Sequence, residues 1–261
     1  MKKAKYIVIE GSEGTGKGTQ ARIIIDYLRA KGLKVLDTKE PGTPHSPITM
    51  ELRKIMLDSK YEVLGYEKLH EDLSAIVANP EFLAHLAPTA SEMISRALAE
   101  IQGEKKMTLN SRELISQAIR CIHLQKVVLP AIEEYDYIIQ DRGILSGLVY
   151  GVACGVDYQF IEGLSNAGIG HAKRQEGVNV YNLYDQIILF RGDVAAGLKR
   201  ALSAKKEFES GDAMENKGIS FLDKVSLNFN NFEKNFQKVS VIEVENKGIE
   251  TVTEELLRVL V

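Results

Sequence analysis

The chain has 261 residues, 44% apolar and 26% charged, enough for one large core or a core with an appended lobe. A net charge of -3 leaves no basic surplus for coating nucleic acid, and Cys121 and Cys154 lack metal-ligand spacing and suit free thiols in a reducing compartment. The apolar run after Met1-Lys2-Lys3 is too short for a signal peptide and no segment has membrane-spanning length, so the expectation is a soluble cytoplasmic protein without nucleic-acid or membrane partners.

The first element is the apolar run at residues 6–9, a buried strand by pattern, which feeds Gly11-Ser12-Glu13-Gly14-Thr15-Gly16-Lys17-Gly18-Thr19-Gln20. Strand, glycine-rich turn and helix in that order are the context a phosphate-binding loop requires. Glycines let successive N–H groups turn inward, and the helix starting near Lys17 adds its positive end. Lys17 then reaches the outer phosphates as a point charge. Gly18 stands where a Ser or Thr hydroxyl would hold Mg²⁺, and Thr19 displaces that hydroxyl by one residue.

The first helix runs to about residue 30 and a second strand covers 33–38, followed by the loop Glu40-Pro41-Gly42-Thr43-Pro44. A helix at 48–57 carries Arg53. Residues 61–109 read as mostly helical, punctuated by Asn79-Pro80 and Ala87-Pro88. A strong helix is expected over 111–129 with Pro130 near its end, then a third strand over 137–140 leading into Asp141-Arg142. Residues 166–179 read as a loop rich in Gly, Asn and charge. A strand at 186–190, a helix at 195–204, a polar stretch at 205–217, a helix at 221–236, a strand at 239–244 and a helix at 251–260 complete the chain. Alternating strands and helices predict an α/β fold with a parallel sheet covered on both faces.

Asp141 falls at the carboxyl end of a core strand, the edge where open parallel sheets bind ligands. A carboxylate there can hold Mg²⁺ or its water shell beside phosphates, and Arg142 suits a bidentate grip on phosphate. Glu40 lies on the same edge by pattern, and Arg53 follows on the next helix.

Together these segments resemble the thymidylate kinases, of the nucleoside monophosphate kinase class. The resemblance rests on residues 6–11 with the loop behind them, Thr38-Lys39-Glu40-Pro41-Gly42, Leu52-Arg53-Lys54-Ile55-Met56-Leu57-Asp58, Asp141-Arg142 with Ser146 and Tyr150, and Gly197-Leu198-Lys199-Arg200-Ala201. It implies a P-loop NTPase-type three-layer core over residues 1–60 and 111–261, a lid at about 203–218, a helical insertion at 61–110, and a homodimer. It also implies phosphoryl transfer from ATP, with Mg²⁺, to a deoxynucleoside monophosphate, with dTMP as the expected acceptor. In that scheme Gly11, Ser12, Gly14, Thr15, Gly16, Lys17, Gly18 and Thr19 hold the ATP phosphates and Arg200 packs on adenine. Glu13 approaches the acceptor's 3′-hydroxyl, and Arg53 and Arg142 hold its phosphate. Glu40, Ser116, Arg120, Ser146 and Tyr150 belong to the substrate pocket, Arg120 reading a base oxygen, while Asp141 and Thr19 serve the metal.

The sequence also departs from the family's pattern. Ser116 replaces a phenylalanine that stacks on thymine, which leaves open a kinase for another or a modified pyrimidine deoxynucleoside monophosphate. Gly143 replaces the aromatic residue or histidine that tends to follow Asp-Arg. Ala213 stands where the lid has arginine, so Lys205, Lys206 or Arg200 must supply the catalytic cation. A chain without that cation is a nucleotide-binding switch or assembly protein with little turnover, an alternative of a different class.

Overall fold

A computed structural model describes residues 4–57, 60–80, 88–172, 177–204 and 217–260. Contacts divide the chain into two compact units, Met1–Lys39 with Ala131–Val149 and Tyr181–Val261, and Glu40–Pro130 with Tyr150–Val180.

The first unit is built on a five-stranded, all-parallel sheet in the order β2-β3-β1-β4-β5. The strands are β1 (Lys5–Gly11), β2 (Val35–Lys39), β3 (Tyr137–Asp141), β4 (Gln186–Arg191) and β5 (Val239–Glu243). β1 is central, and its Tyr6–Ile9 stretch is buried on both faces, which accounts for a continuous apolar run rather than an alternating one. Ile7, Ile9, Ile139, Ile188, Phe190 and Ile242 share one face. Against it pack Ile24, Ile25 and Leu28 of α1 (Lys17–Ala30) and Val252, Leu256 and Leu260 of the terminal helix Ile249–Leu260. The register sets Ile9 beside Asp141 and Gly11 beside Phe190, so the phosphate loop and the Asp141-Arg142 turn leave the sheet at one edge. A parallel sheet flanked by helices, with the loop between β1 and α1, is a P-loop NTPase-type α/β fold.

The second unit is helical: α2 (Pro47–Leu57), α3 (Lys60–Ala78), α4 (Pro88–Glu104), α5 (Leu109–His123) and later Tyr158–Ala172. α3 is interrupted at Gly65, whose φ of 79° lies outside helical geometry. Pro88 opens α4, where its missing N–H costs nothing. α5 starts with a capping box in which Thr108 Oγ1 accepts Ser111 N–H at 3.0 Å and Ser111 Oγ accepts Thr108 N–H at 2.9 Å. Ala90, Ile94, Ala97 and Ile101 of α4 recur at helical spacing and join Leu114, Ile115, Ala118 and Ile119 of α5 in one apolar cluster.

Two sequence expectations change. The helix expected over 111–129 is three consecutive pieces: α5, a π turn at Leu124–Val128, and a short helix Leu129–Glu134 that contains Pro130. In the π turn Leu129 N–H donates to Leu124, five residues back, so the register shifts just before a proline that cannot donate at all. The loop expected over 166–179 begins inside the helix Tyr158–Ala172. Gly168 and Gly170 lower its intrinsic propensity, but Gly168 faces Cys121 of α5, and a Cβ there would lie 3.7 Å from the Cys121 Cβ. The helix Ile144–Cys154, between β3 and that helix, has an almost uniformly apolar sequence and so shows no amphipathic period. Among the described residues no helix is long and apolar enough to cross a membrane.

Candidate active site

In the phosphate loop, Gly11, Gly14 and Gly16 adopt φ of 139°, 66° and 87°. At Gly14 the need is also one of space, because a Cβ would overlap the Gly197 carbonyl oxygen. Gly197 lies on the helix Val194–Ala204, and a Cβ there would overlap Glu13 O in turn. Arg200, exposed on that helix, donates its Nε to Gly14 O at 2.8 Å. Loop and helix are thus in backbone contact, with one guanidinium fastened across the seam.

Lys17 is 6% exposed and donates its Nζ to Ser12 O at 2.6 Å. Burial brings its pKa from 10.5 to about 8, helped by the nearby Arg142 charge and opposed by Glu13, Asp141 and Glu10. Thr15 donates to the same carbonyl at 3.0 Å. Gly18 and Thr19 are exposed in the first turn of α1, and nothing lies within 4 Å of a Cβ placed on Gly18.

Arg142 takes a left-handed φ of 63° beyond β3. Its Nη2 donates to Glu13 Oε1 at 2.6 Å, and its Nη1 to Gly11 O at 2.9 Å and Ser146 Oγ at 3.2 Å. The turn is braced from beneath. Gln140 donates to Arg142 O at 2.7 Å and accepts the Tyr6 hydroxyl, while Tyr184 Oη accepts Ile144 N–H at 3.0 Å. A Cβ at Gly143 would overlap that Tyr184 hydroxyl, which accounts for glycine at this position. Glu10, fully buried at the end of β1, accepts Gly143 N–H at 2.9 Å and Ser146 N–H at 3.1 Å through Oε1, and the Ser146 hydroxyl through Oε2. Burial raises its pKa above the ordinary 4.5, against the lowering pull of Ser146, Arg142 and Gly143. Beside this turn Asp141 Oδ1 is buried with no hydrogen-bond partner.

At the same sheet edge, a cavity of about 530 Å³ is lined by Arg191, Asp193, Asp223, Glu243 and Glu245. Arg191 is already committed to Glu233 at 2.9 Å and Glu243 at 3.1 Å.

The second unit holds a separate polar cluster. Glu40 pairs with Arg120 Nε at 2.7 Å and His123 Nδ1 at 3.0 Å. Burial works to raise the Glu40 pKa, but Arg120 and His123 outweigh it and hold the carboxyl below its usual range. Arg120 Nη1 donates to Gln117 Oε1 at 2.9 Å. Gln117 also accepts from Ser165 at 2.9 Å and donates to Glu113 at 2.6 Å. Burial raises the Glu113 pKa, with Gln117 and Arg120 opposing. Arg53 donates its Nη1 to Pro41 O at 3.2 Å, and its Nε is buried without a partner. Ser116 and Tyr150 are half-buried.

The structure therefore gathers Ser12, Glu13, Thr15, Lys17, Arg142, Ser146 and Arg200 around one loop, and places Glu40, Arg53, Ser116, Arg120 and Tyr150 in the second unit. Lys205, Lys206 and Ala213 lie outside the described residues. Sequence reasoning missed Glu10, Gln140, Tyr184, Glu113 and His123. The available signal was polarity out of place: Glu10 and Gln140 each follow three consecutive buried apolar or half-buried strand positions at the sheet's binding edge.

No family model matches the chain. Curated relatives do, along nearly its whole length. A thymidylate kinase of Caldicellulosiruptor saccharolyticus is 27% identical over 259 residues, 99% of this chain and 96% of that protein. One of Finegoldia magna is 23% identical over 98% of this chain and 97% of its own. One of Francisella tularensis subsp. holarctica is 25% identical over 98% and 95%. The chain is similar to thymidylate kinases. These full-length alignments and the phosphate loop agree on a nucleotide-binding phosphotransferase of the nucleoside monophosphate kinase class. In this chain the Asp-Arg turn carries its own packing solution, Gly143 against Tyr184.

Proposed function

We propose that the protein transfers the terminal phosphoryl group of ATP to the 5′-phosphate of dTMP, giving dTDP and ADP. The observation that carries this is the pairing of two cations at one sheet edge: Lys17, buried in the loop, and Arg142, anchored across the loop on Gly11 O and Glu13. Phosphoryl transfer calls for little covalent chemistry from the protein. It calls for two polyanions held in line by fixed positive charge. Loop amides and Lys17 bind the donor phosphates. Arg142 and Arg53 take the acceptor phosphate in this reading. Glu13, Glu40, Ser116, Arg120, Ser146 and Tyr150 belong to the acceptor pocket in this reading, and Arg200 to the adenine side. Lys205 and Lys206 supply lid charge.

Mg²⁺ fits the residues present. Asp141 Oδ1 is a buried carboxylate oxygen with no hydrogen-bond donor, the kind of ligand a hard cation accepts, and Thr19 offers a hydroxyl in the first turn of α1, two residues beyond Lys17. Bound there, the ion would neutralise charge between the transferring phosphates. A kinase core of 1–60 and 111–261 with an added helical stretch at 61–110, a homodimer and a cytoplasmic location complete the proposal.

Acceptor-dependent ADP release, measured over dTMP, dCMP, dUMP and 5-substituted dUMP, tests it. The highest kcat/KM is expected for dTMP. A ranking with dTMP below another pyrimidine overturns the substrate, and ADP release independent of any acceptor overturns the kinase reading.

A further inference from the structure

Of the residues assigned to substrate, the Glu10 carboxylate hydrogen-bonds Ser146. Its carboxylate is spent entirely on the Arg142 turn. Oε1 takes the N–H groups of Gly143 and Ser146, which open the helix Ile144–Cys154, and Oε2 takes the Ser146 hydroxyl. With its proton committed to Glu10, Ser146 Oγ is left as a pure acceptor and receives Arg142 Nη1 at 3.2 Å. A relay therefore runs Glu10 to Ser146 to Arg142, and its direction is fixed by the acceptor-only character of an ionised carboxylate. We propose that Glu10 is a positioning residue for phosphoryl transfer, orienting the Arg142 guanidinium through Ser146. This rests on the kinase reading above.

The alternative, a carboxylate that only caps a helix, predicts no dependence on the hydroxyl. Glu10→Gln separates the two. The amide keeps one oxygen for the backbone N–H groups but turns a donor toward Ser146, whose oxygen then faces donors from both sides and whose own proton loses its acceptor. Hydrogen bonds to charged groups are worth enough that losing this one raises KM for the monophosphate roughly tenfold. Read well below pH 8, where Lys17 keeps its proton even without the supporting charge of Glu10, KM for ATP stays within about twofold, because the Glu10 carboxylate makes no hydrogen bond to Lys17 or the loop amides. Ser146→Ala, which leaves the strand and both backbone caps intact, moves the same KM in the same direction and serves if Glu10→Gln does not fold, provided its effect disappears in the Arg142→Ala background; an effect that persists there comes from direct contact of Ser146 with the acceptor and overturns the relay. In an Arg142→Ala background, Glu10→Gln adds nothing further to the acceptor KM.

A wild-type acceptor KM in both folded single variants overturns the proposal, as does a parallel rise in both substrates' KM or an undiminished Glu10→Gln effect without Arg142. Wild-type protein inactive on every monophosphate sinks the kinase reading instead. The relay is then read from ¹⁵N spectra, where the Arg142 Nη resonances are resolved in the wild type and averaged in Ser146→Ala; identical spectra overturn it.

Discussion

Lys17 is the residue whose environment most plainly opposes its own charge. Its pKa, brought from 10.5 to about 8 chiefly by burial, means the folded protein holds that proton less tightly than the unfolded chain. The penalty is fully present below about pH 8, fades as pH rises from there to 10.5, and is gone above it, where both states are neutral. A shift of this size corresponds to about 3 kcal/mol. Lys17→Met is therefore expected to raise the melting temperature by several degrees, after allowing for the lost contact to Ser12 O, while lowering kcat/KM at least a hundredfold. Thermal unfolding and turnover of the same preparation check this. The same pKa predicts that KM for ATP rises as the pH passes about 8, since the free protein then loses the charge that phosphate seeks. Arg142 makes the complementary arrangement: a permanent cation whose cost is met by a carboxylate at 2.6 Å and a backbone carbonyl at 2.9 Å.

At the scale of elements, Glu40 ties the segment just beyond β2 to α5, because Arg120 and His123 stand three residues apart on one face of that helix. Removing one partner of a buried pair strands the other. Glu40→Gln is expected to destabilise the protein by about 3 kcal/mol at neutral pH, measured by urea unfolding. The Glu40 carboxyl titrates below its unfolded value of 4.5, so its contribution is present above pH 4.5 and is lost as pH falls through the lower folded value. The acid limb of the wild-type stability curve should accordingly be shallower in Glu40→Gln. Elements differed in how far sequence revealed them. The phosphate loop was legible because Gly14 and Gly16 encode its backbone locally. The brace under Arg142 was not, because Glu10 and Gly143 meet across more than a hundred residues. Pro130 read as a helix end although a π turn carries the helix axis past it, and Gly168 and Gly170 read as loop although packing on α5 keeps them helical.

For the molecule as a whole, the sheet order brought every strand's neighbours from far along the chain. β1 is hydrogen-bonded to β3 and β4, and the Gly14–Gly197 seam likewise joins a loop and a helix far apart in sequence. Long closures are slow, because their entropy is spent before their contacts form. The seam thus orders events in time. A ribosome-bound chain that has not yet emerged through the helix Val194–Ala204 lacks the wall against which Gly14 rests. In refolding, helical circular dichroism is expected to recover before a fluorescent ATP analogue binds; simultaneous recovery would contradict it. Nucleotide capture then reports on completion: a chain able to hold its donor has already closed the long loop from Gly14 to Gly197 in its first unit.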